Sequence, residues 1–219
     1  MTSAHCKKWL PLAAEGDLSK WILDPGDAIT HDGDSLLFTG KDVKGEVGGM
    51  SWDNYVLSAE VLLRRLAEDW YFQVELTAVG TCVYCQLLPT CVVLCSYLDG
   101  GKGDKDQLAI ENVDVKADVW QEFQMVAQEG RIKAILNGQE VADATSPLGT
   151  VGMAGIVIKF IKNAEIRLRS LKLKFLAPTA EQLTEYGQDA ATNWRNYEES
   201  QGTAQQAPAR DRLAPAQEA

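Results

Sequence analysis

Glu60 and Glu75 are two carboxylates placed where they could do chemistry. Each lies in a stretch where apolar and polar residues alternate, and each falls on the polar side of its stretch. Two carboxylates whose surroundings separate their pKa values can cleave a glycosidic bond, with one acting as acid and the other as base or nucleophile. Ligand-holding residues are expected on the same polar sides. They are Tyr71 and Gln73 beside Glu75, Tyr84 and Gln86 in the next stretch, Ser58 and Arg64 around Glu60, and Trp120, Glu122 and Gln124 further on. Aromatic rings cover apolar C–H faces, and amides and carboxylates bond hydroxyls, so the set suits a sugar or another hydroxylated small molecule. Solvated residues on an open sheet would produce the same pattern.

Other reactive groups are few. Asp24, Asp27, Asp32 and Asp34 share one loop-like segment, DPGDAITHDGD, and Asp99, Asp104 and Asp106 share another. Such loops can supply oxygen ligands to calcium, although neither has EF-hand spacing and turn-forming Asp and Gly is the simpler reading. There are two histidines, His5 and His31, so a Ser-His-Asp or Cys-His site would have to use one of them. Cys82, Cys85, Cys91 and Cys95 crowd into CVYCQLLPTCVVLC. Strand positions three apart face opposite ways, so buried thiols are the first reading, a cross-hairpin disulfide the second and zinc the last. No glycine-rich phosphate loop or dinucleotide fingerprint is present, so no organic cofactor is expected.

The elements that position these residues read mainly as strands. Tyr55 to Arg64 alternates with Tyr55, Leu57, Ala59, Val61 and Leu63 on one side. Asp69 to Thr77 does so with Trp70, Phe72, Val74 and Leu76. Thr81–Leu88, Cys91–Leu98, Val119–Ala127, Arg131–Leu136, Gln139–Ala142, Val151–Phe160 and Glu165–Leu176 continue the series, and Asn137-Gly138 is a strong hairpin signal. Many short strands with no helix among them predict an antiparallel sandwich or barrel. The basic run Lys159, Lys162, Arg167, Arg169, Lys172 and Lys174 reads as the solvent face of an edge-like strand. After Pro178 the period changes. Thr179 and Gln182 form a capping-box pattern, and Leu183, Tyr186, Ala190, Trp194 and Tyr197 follow at helical spacing. The expected organisation is a sandwich over 1–177, a helix over 178–199 and a tail without fixed structure over 200–219.

The 219-residue chain is acidic, with a formal net charge of −10, which disfavours nucleic acid and anionic membrane as partners. No apolar run has the length of a membrane span or follows Lys7 and Lys8 as a signal peptide would, so the cytoplasm is the default expectation. The helix offers a surface for packing on the sandwich or for a homo-oligomer.

Three stretches resemble the concanavalin A-like lectin/glucanase superfamily, closest to laminin-G-like and 3-keto-disaccharide hydrolase domains. They are WDNYVLSAEVLLR (52–64), WQEFQMVAQEGRIKAILNGQEV (120–141) and GMAGIVIKFIKNAEIRLRSLKLKFL (152–176). The resemblance implies an all-β, two-sheet jelly roll with a ligand on its concave face. It also makes calcium a candidate ion. The hydrolase domain's Asn-Ser-Gly motif is replaced by RLAEDW after Arg64, so its catalytic positions do not carry over. Two functions follow as expectations. One is a hydrolase, lyase or isomerase acting on a glycoside or small polar molecule, and the other is a non-catalytic carbohydrate-binding or protein-interaction module.

Overall fold

The computed structural model describes residues 8–14, 17–24, 29–39, 43–64, 70–78, 81–98, 105–150, 153–160 and 165–206. For 70–78, 81, 98, 105, 153–160 and 201–206 it is the backbone that is described. The strands in chain order are β1 (Leu10–Pro11), β2 (Ile22–Asp24), β3 (Ile29–Asp32), β4 (Ser35–Thr39), β5 (Val43–Val47), β6 (Tyr55–Arg64), β7 (Trp70–Ala78) and β8 (Thr81–Leu87). They continue with β9 (Cys91–Leu98), β10 (Lys105–Asn112), β11 (Trp120–Gln128), β12 (Arg131–Leu136), β13 (Gln139–Thr145), β14 (Met153–Phe160) and β15 (Glu165–Phe175). Helices α1 (Ala180–Gly187) and α2 (Ala190–Gln206) follow.

Among the described residues the strands form two sheets. An eight-stranded sheet runs β13-β12-β11-β6-β15-β4-β3, with β1 added to β15. A seven-stranded sheet runs β10-β9-β8-β7-β14-β5-β2. Alternation explains how they face each other. Leu57, Val61 and Leu63 of β6, Phe123 and Met125 of β11, and Ile132 and Ala134 of β12 meet Val43, Val83, Cys85, Leu87, Val92 and Leu94 of the other sheet in one core. Each large side chain buried this way contributes roughly 1.5–3 kcal/mol. Trp52 closes one end, edge-on to Phe175 at 5.4 Å.

β15 pairs with β6 on one side and β4 on the other, so it is an interior strand and not the edge-like strand expected from its basic run. Its cations tolerate that position because they face outward beside carboxylates: Arg167 meets Asp32 at 2.6 Å and Glu165 at 2.8 Å. Between Arg169 and Lys172 its register against β6 shifts by one residue. Ser170 adopts φ 54°, and the extra residue re-phases the strand, so that Ile166, Leu168, Leu171 and Leu173 all point into the core.

Asn137-Gly138 forms the expected tight turn, with φ 51° and 79°. Thr179 and Gln182 make the expected capping box. The single expected helix is two, broken at Gln188 and Asp189, and α2 runs on to Gln206 into the segment expected to lack structure. Asp189 caps the second helix through the Thr192 N–H, which donates to it at 2.8 Å, and the Ala- and Gln-rich run that follows favours helix. Leu183 and Tyr186 pack on the main core, while Ala190, Trp194 and Tyr197 pack with Met50 and Ile22. No described helix is long and apolar enough to cross a membrane.

Candidate functional site

Glu60, Arg64, Trp120 and Gln124 lie on β6 and β11, in the eight-stranded sheet. On its outer face Glu60 accepts hydrogen bonds from Arg169 Nε at 3.1 Å, Arg169 Nη2 at 3.0 Å and the Ser170 hydroxyl at 2.9 Å. The same guanidinium lies 4.2 Å over the Trp120 ring. The Arg169 hydrogen bonds, with a smaller contribution from Ser170, hold the Glu60 carboxyl below the usual carboxylate range against the opposing effect of burial. A carboxylate fixed as an anion is a counter-ion and not a proton donor at neutral pH. Gln124 donates to Glu122 at 2.8 Å, and Arg64 stands 3.5 Å from Glu165.

Glu75, Tyr71, Gln73, Tyr84 and Gln86 belong to β7 and β8, in the seven-stranded sheet. The expected pairing of Glu60 with Glu75 on one face is therefore incorrect. The core lies between the two sheets, and Arg64, Trp120 and Gln124 are separated from Tyr71, Gln73, Tyr84 and Gln86 in the same way. Alternation within a strand fixes which residues face outward, but it does not fix which sheet the strand joins.

Register aligns the outer face of the seven-stranded sheet into rows. One row is Ile22, Glu46, Gly155, Glu75, Tyr84, Cys95 and Gln107. The next is Asp24, Lys44, Val157, Gln73, Gln86, Val93 and Ile110. Lys44 and Glu46 form an ion pair at 2.8 Å on this face. Glu46 was missed at the sequence level because VKGEV is short, polar and interrupted by a glycine; its only signal was the Val43/Val47 alternation. Tyr84 is 3% exposed and Cys95 0%, although both lie outside the main core, in a second cluster with Cys82 and Val93. The Tyr84 and Tyr97 rings meet edge-on at 5.7 Å. Burial first, and then the Cys95 thiol beside it, push the Tyr84 phenol far up, so it stays protonated and can both donate and accept. The side chains of Tyr71, Gln73 and Glu75 lie outside the described residues.

The remaining candidates are dispersed. Asp24 ends β2 in the seven-stranded sheet, Asp32 and Asp34 flank the β3–β4 turn of the other sheet, and Asp27 lies outside the described residues. Asp32 is paired with Arg167, and Asp34 stands 3.5 Å from Arg169. This donor set does not fit calcium, because arginines neutralise two of its carboxylates, and no group of three or more His, Cys, Asp or Glu gathers among the described residues. Asp106 is exposed on β10, and His31 lies on β3, which is a strand where a loop was expected. Cys82, Cys85, Cys91 and Cys95 are thiols. Burial pushes the Cys85 thiol well up. Cys6 and His5 lie outside the described residues.

Solved structures settle the fold. A carbohydrate-binding module, CBM66 from Bacillus subtilis, superposes with a TM-score of 0.59 at 10% identity, over 71% of this chain and 95% of that one. The fold is an antiparallel two-sheet jelly roll. A Crh5 transglycosylase in complex with NAG matches with a TM-score of 0.62 at 10% identity, covering 78% of this chain and 84% of its own. A Bacillus subtilis protein with a galectin-like fold gives 0.59 at 9% identity, covering 79% and 97%. No family model matches the sequence, and no curated protein matches it either. At these identities the likeness concerns architecture, and function rests on the side chains.

Proposed function

We propose that this jelly roll binds carbohydrate on the outer face of its seven-stranded sheet. The observation that carries the reading is the burial of Tyr84 and Cys95 on a face turned away from the core, in rows with Glu46, Glu75, Gln73 and Gln86. A solvated sheet face leaves its side chains in water, whereas this one buries a neutral phenol beside Cys82, Val93 and Cys95, in register with Glu75 of the next strand. That combination suits hydroxyl recognition beside an aromatic surface. The carbohydrate-binding module and the transglycosylase share the fold, which makes sugars the first ligand class to test.

Cleavage is a second reading, favoured by one register relation. Glu46 and Glu75 are both partners of Gly155, one on each side. Residues two strands apart have backbones about 10 Å apart, and glycosidases hold their two carboxyl groups ~5–9.5 Å apart. A glycine between them adds no side chain to that space. Glu46 thus replaces Glu60 as the partner of Glu75.

A glycan microarray followed by calorimetry tests both readings. Gln86→Ala should abolish binding of the glycan found, and unchanged affinity in that variant would sink the binding site. Glu75→Gln and Glu46→Gln should keep binding and lose turnover if the pair cleaves. Full turnover in both variants would remove the second reading.

A further inference from the structure

The edge of β15 that faces away from β6 changes partner part-way along. β4 pairs with Glu165 to Leu168, β1 pairs with Lys172 and Leu173, and the Leu12 N–H donates to the Leu171 carbonyl at 3.1 Å. Among the described residues no strand pairs with Arg169 or Ser170 on that edge, and this is where Ser170 takes its left-handed conformation. Non-glycine residues in that region cost free energy and concentrate where structure serves a site. The gap is a cleft of about 400 Å³, a size typical of small-ligand sites. Leu36, Leu168 and Leu171 border it with side chains turned into the core, and His31, Asp34, Arg169 and Ser170 give it a polar lining.

Arg169 is fixed before any ligand arrives. Glu60 takes its Nε and Nη2 hydrogens, and Trp120 stacks under the guanidinium. The remaining nitrogen, Nη1, makes a long contact with Asp34 Oδ2 at 3.5 Å, which leaves its second hydrogen to give. Asp34 is otherwise a solvated carboxylate with a side chain 76% exposed. A fixed donor and a separate acceptor side by side match two adjacent hydroxyls, one accepting from Arg169 and one donating to Asp34. Charge excludes simpler ligands. An anion would meet Asp34, a cation would meet Arg169, and a neutral diol meets neither penalty.

We propose that this cleft is a second carbohydrate subsite, taking the vicinal diol of one neutral sugar ring between Arg169 and Asp34. It shares no residue with the site on the seven-stranded sheet and does not depend on it.

His31 is a built-in reporter, since the chain has only one other histidine. The imidazole resonances would be followed by NMR in the full chain during titration with methyl α-glucoside, with His5→Ala used for assignment. A saturable shift of His31 is expected, weakened at least roughly tenfold by Asp34→Ala, the loss of one hydrogen bond to a charged group. It should be unchanged in Gln86→Ala, which perturbs only the other sheet. Absence of a saturable shift, an equal affinity in Asp34→Ala, or an equal response to inorganic phosphate would each overturn the proposal. Because Asp34 is exposed, the variant is expected to fold, and circular dichroism identical to wild type verifies that.

Discussion

Gln182→Ala probes how the C-terminal helices are held to the sandwich. Gln182 is 4% exposed. Its carbonyl accepts from the Thr179 N–H at 3.0 Å, and its amide donates to the Ser51 carbonyl at 3.0 Å and the Asp53 carbonyl at 3.1 Å. Truncation removes three hydrogen bonds worth about 1 kcal/mol each and strands two carbonyls in a partly buried position, so the expected loss is roughly 3 kcal/mol. For a domain of this length that corresponds to a Tm lower by about 6–12 °C. Gln182→Glu separates the two contributions, because it keeps the acceptor for Thr179 and removes both donors to the loop. It should therefore lose most of the same stability. Urea denaturation followed by tryptophan fluorescence gives the free energies, and amide exchange in α1 reports whether the helix opens alone. A loss under about 1 kcal/mol in Gln182→Ala, with exchange in α1 already fast in wild type, would refute the view that α1 is an integral part of the fold.

Other outcomes are equally specific. Gly48→Ala should destabilise severely, because the residue sits at φ 106° and a Cβ there would stand 2.6 Å from the Trp52 ring; thermal melts would measure this. Glu60 has its pKa lowered on folding, so the stability it contributes is present above the ordinary carboxylate range and is lost as pH falls through the depressed folded value. The stability gap between wild type and Glu60→Gln should thus close in acid, and denaturation curves from pH 7 downward would check it. Native thiol titration should modify the half-buried Cys91 before Cys85, whose thiol is fully buried and pushed up in pKa; equal rates for the two would contradict the structure.

Legibility of this chain in its sequence followed the range of the signal. β6 was readable because five of its residues, from Tyr55 to Leu63, alternate without a break, and the Asn137-Gly138 turn and Thr179 cap are encoded within four residues each. β3, β5 and β10 were not readable. ITHD, VKGEV and KDQLAIEN are short or charged, and they become strands because neighbouring strands satisfy their backbones. The outward faces of Glu60 and Tyr84 followed from period two, whereas the assignment of β6 and β7 to opposite sheets is a long-range property. The cleft at Ser170 depends on β1 and β4 ending against the same strand, which no local pattern encodes.

The position of β14 and β15 has a consequence for synthesis. They are made after every other described strand of their sheets, yet β14 lies between β7 and β5 and β15 between β6 and β4. Until both emerge, each half-built sheet presents raw pairing edges inside what will become its middle, the state in which nascent β-proteins stick to one another. A nascent chain halted before Met153 should therefore resist compaction and depend on chaperone shielding, and its collapse into a protease-resistant form should appear only after Phe175 has cleared the exit tunnel.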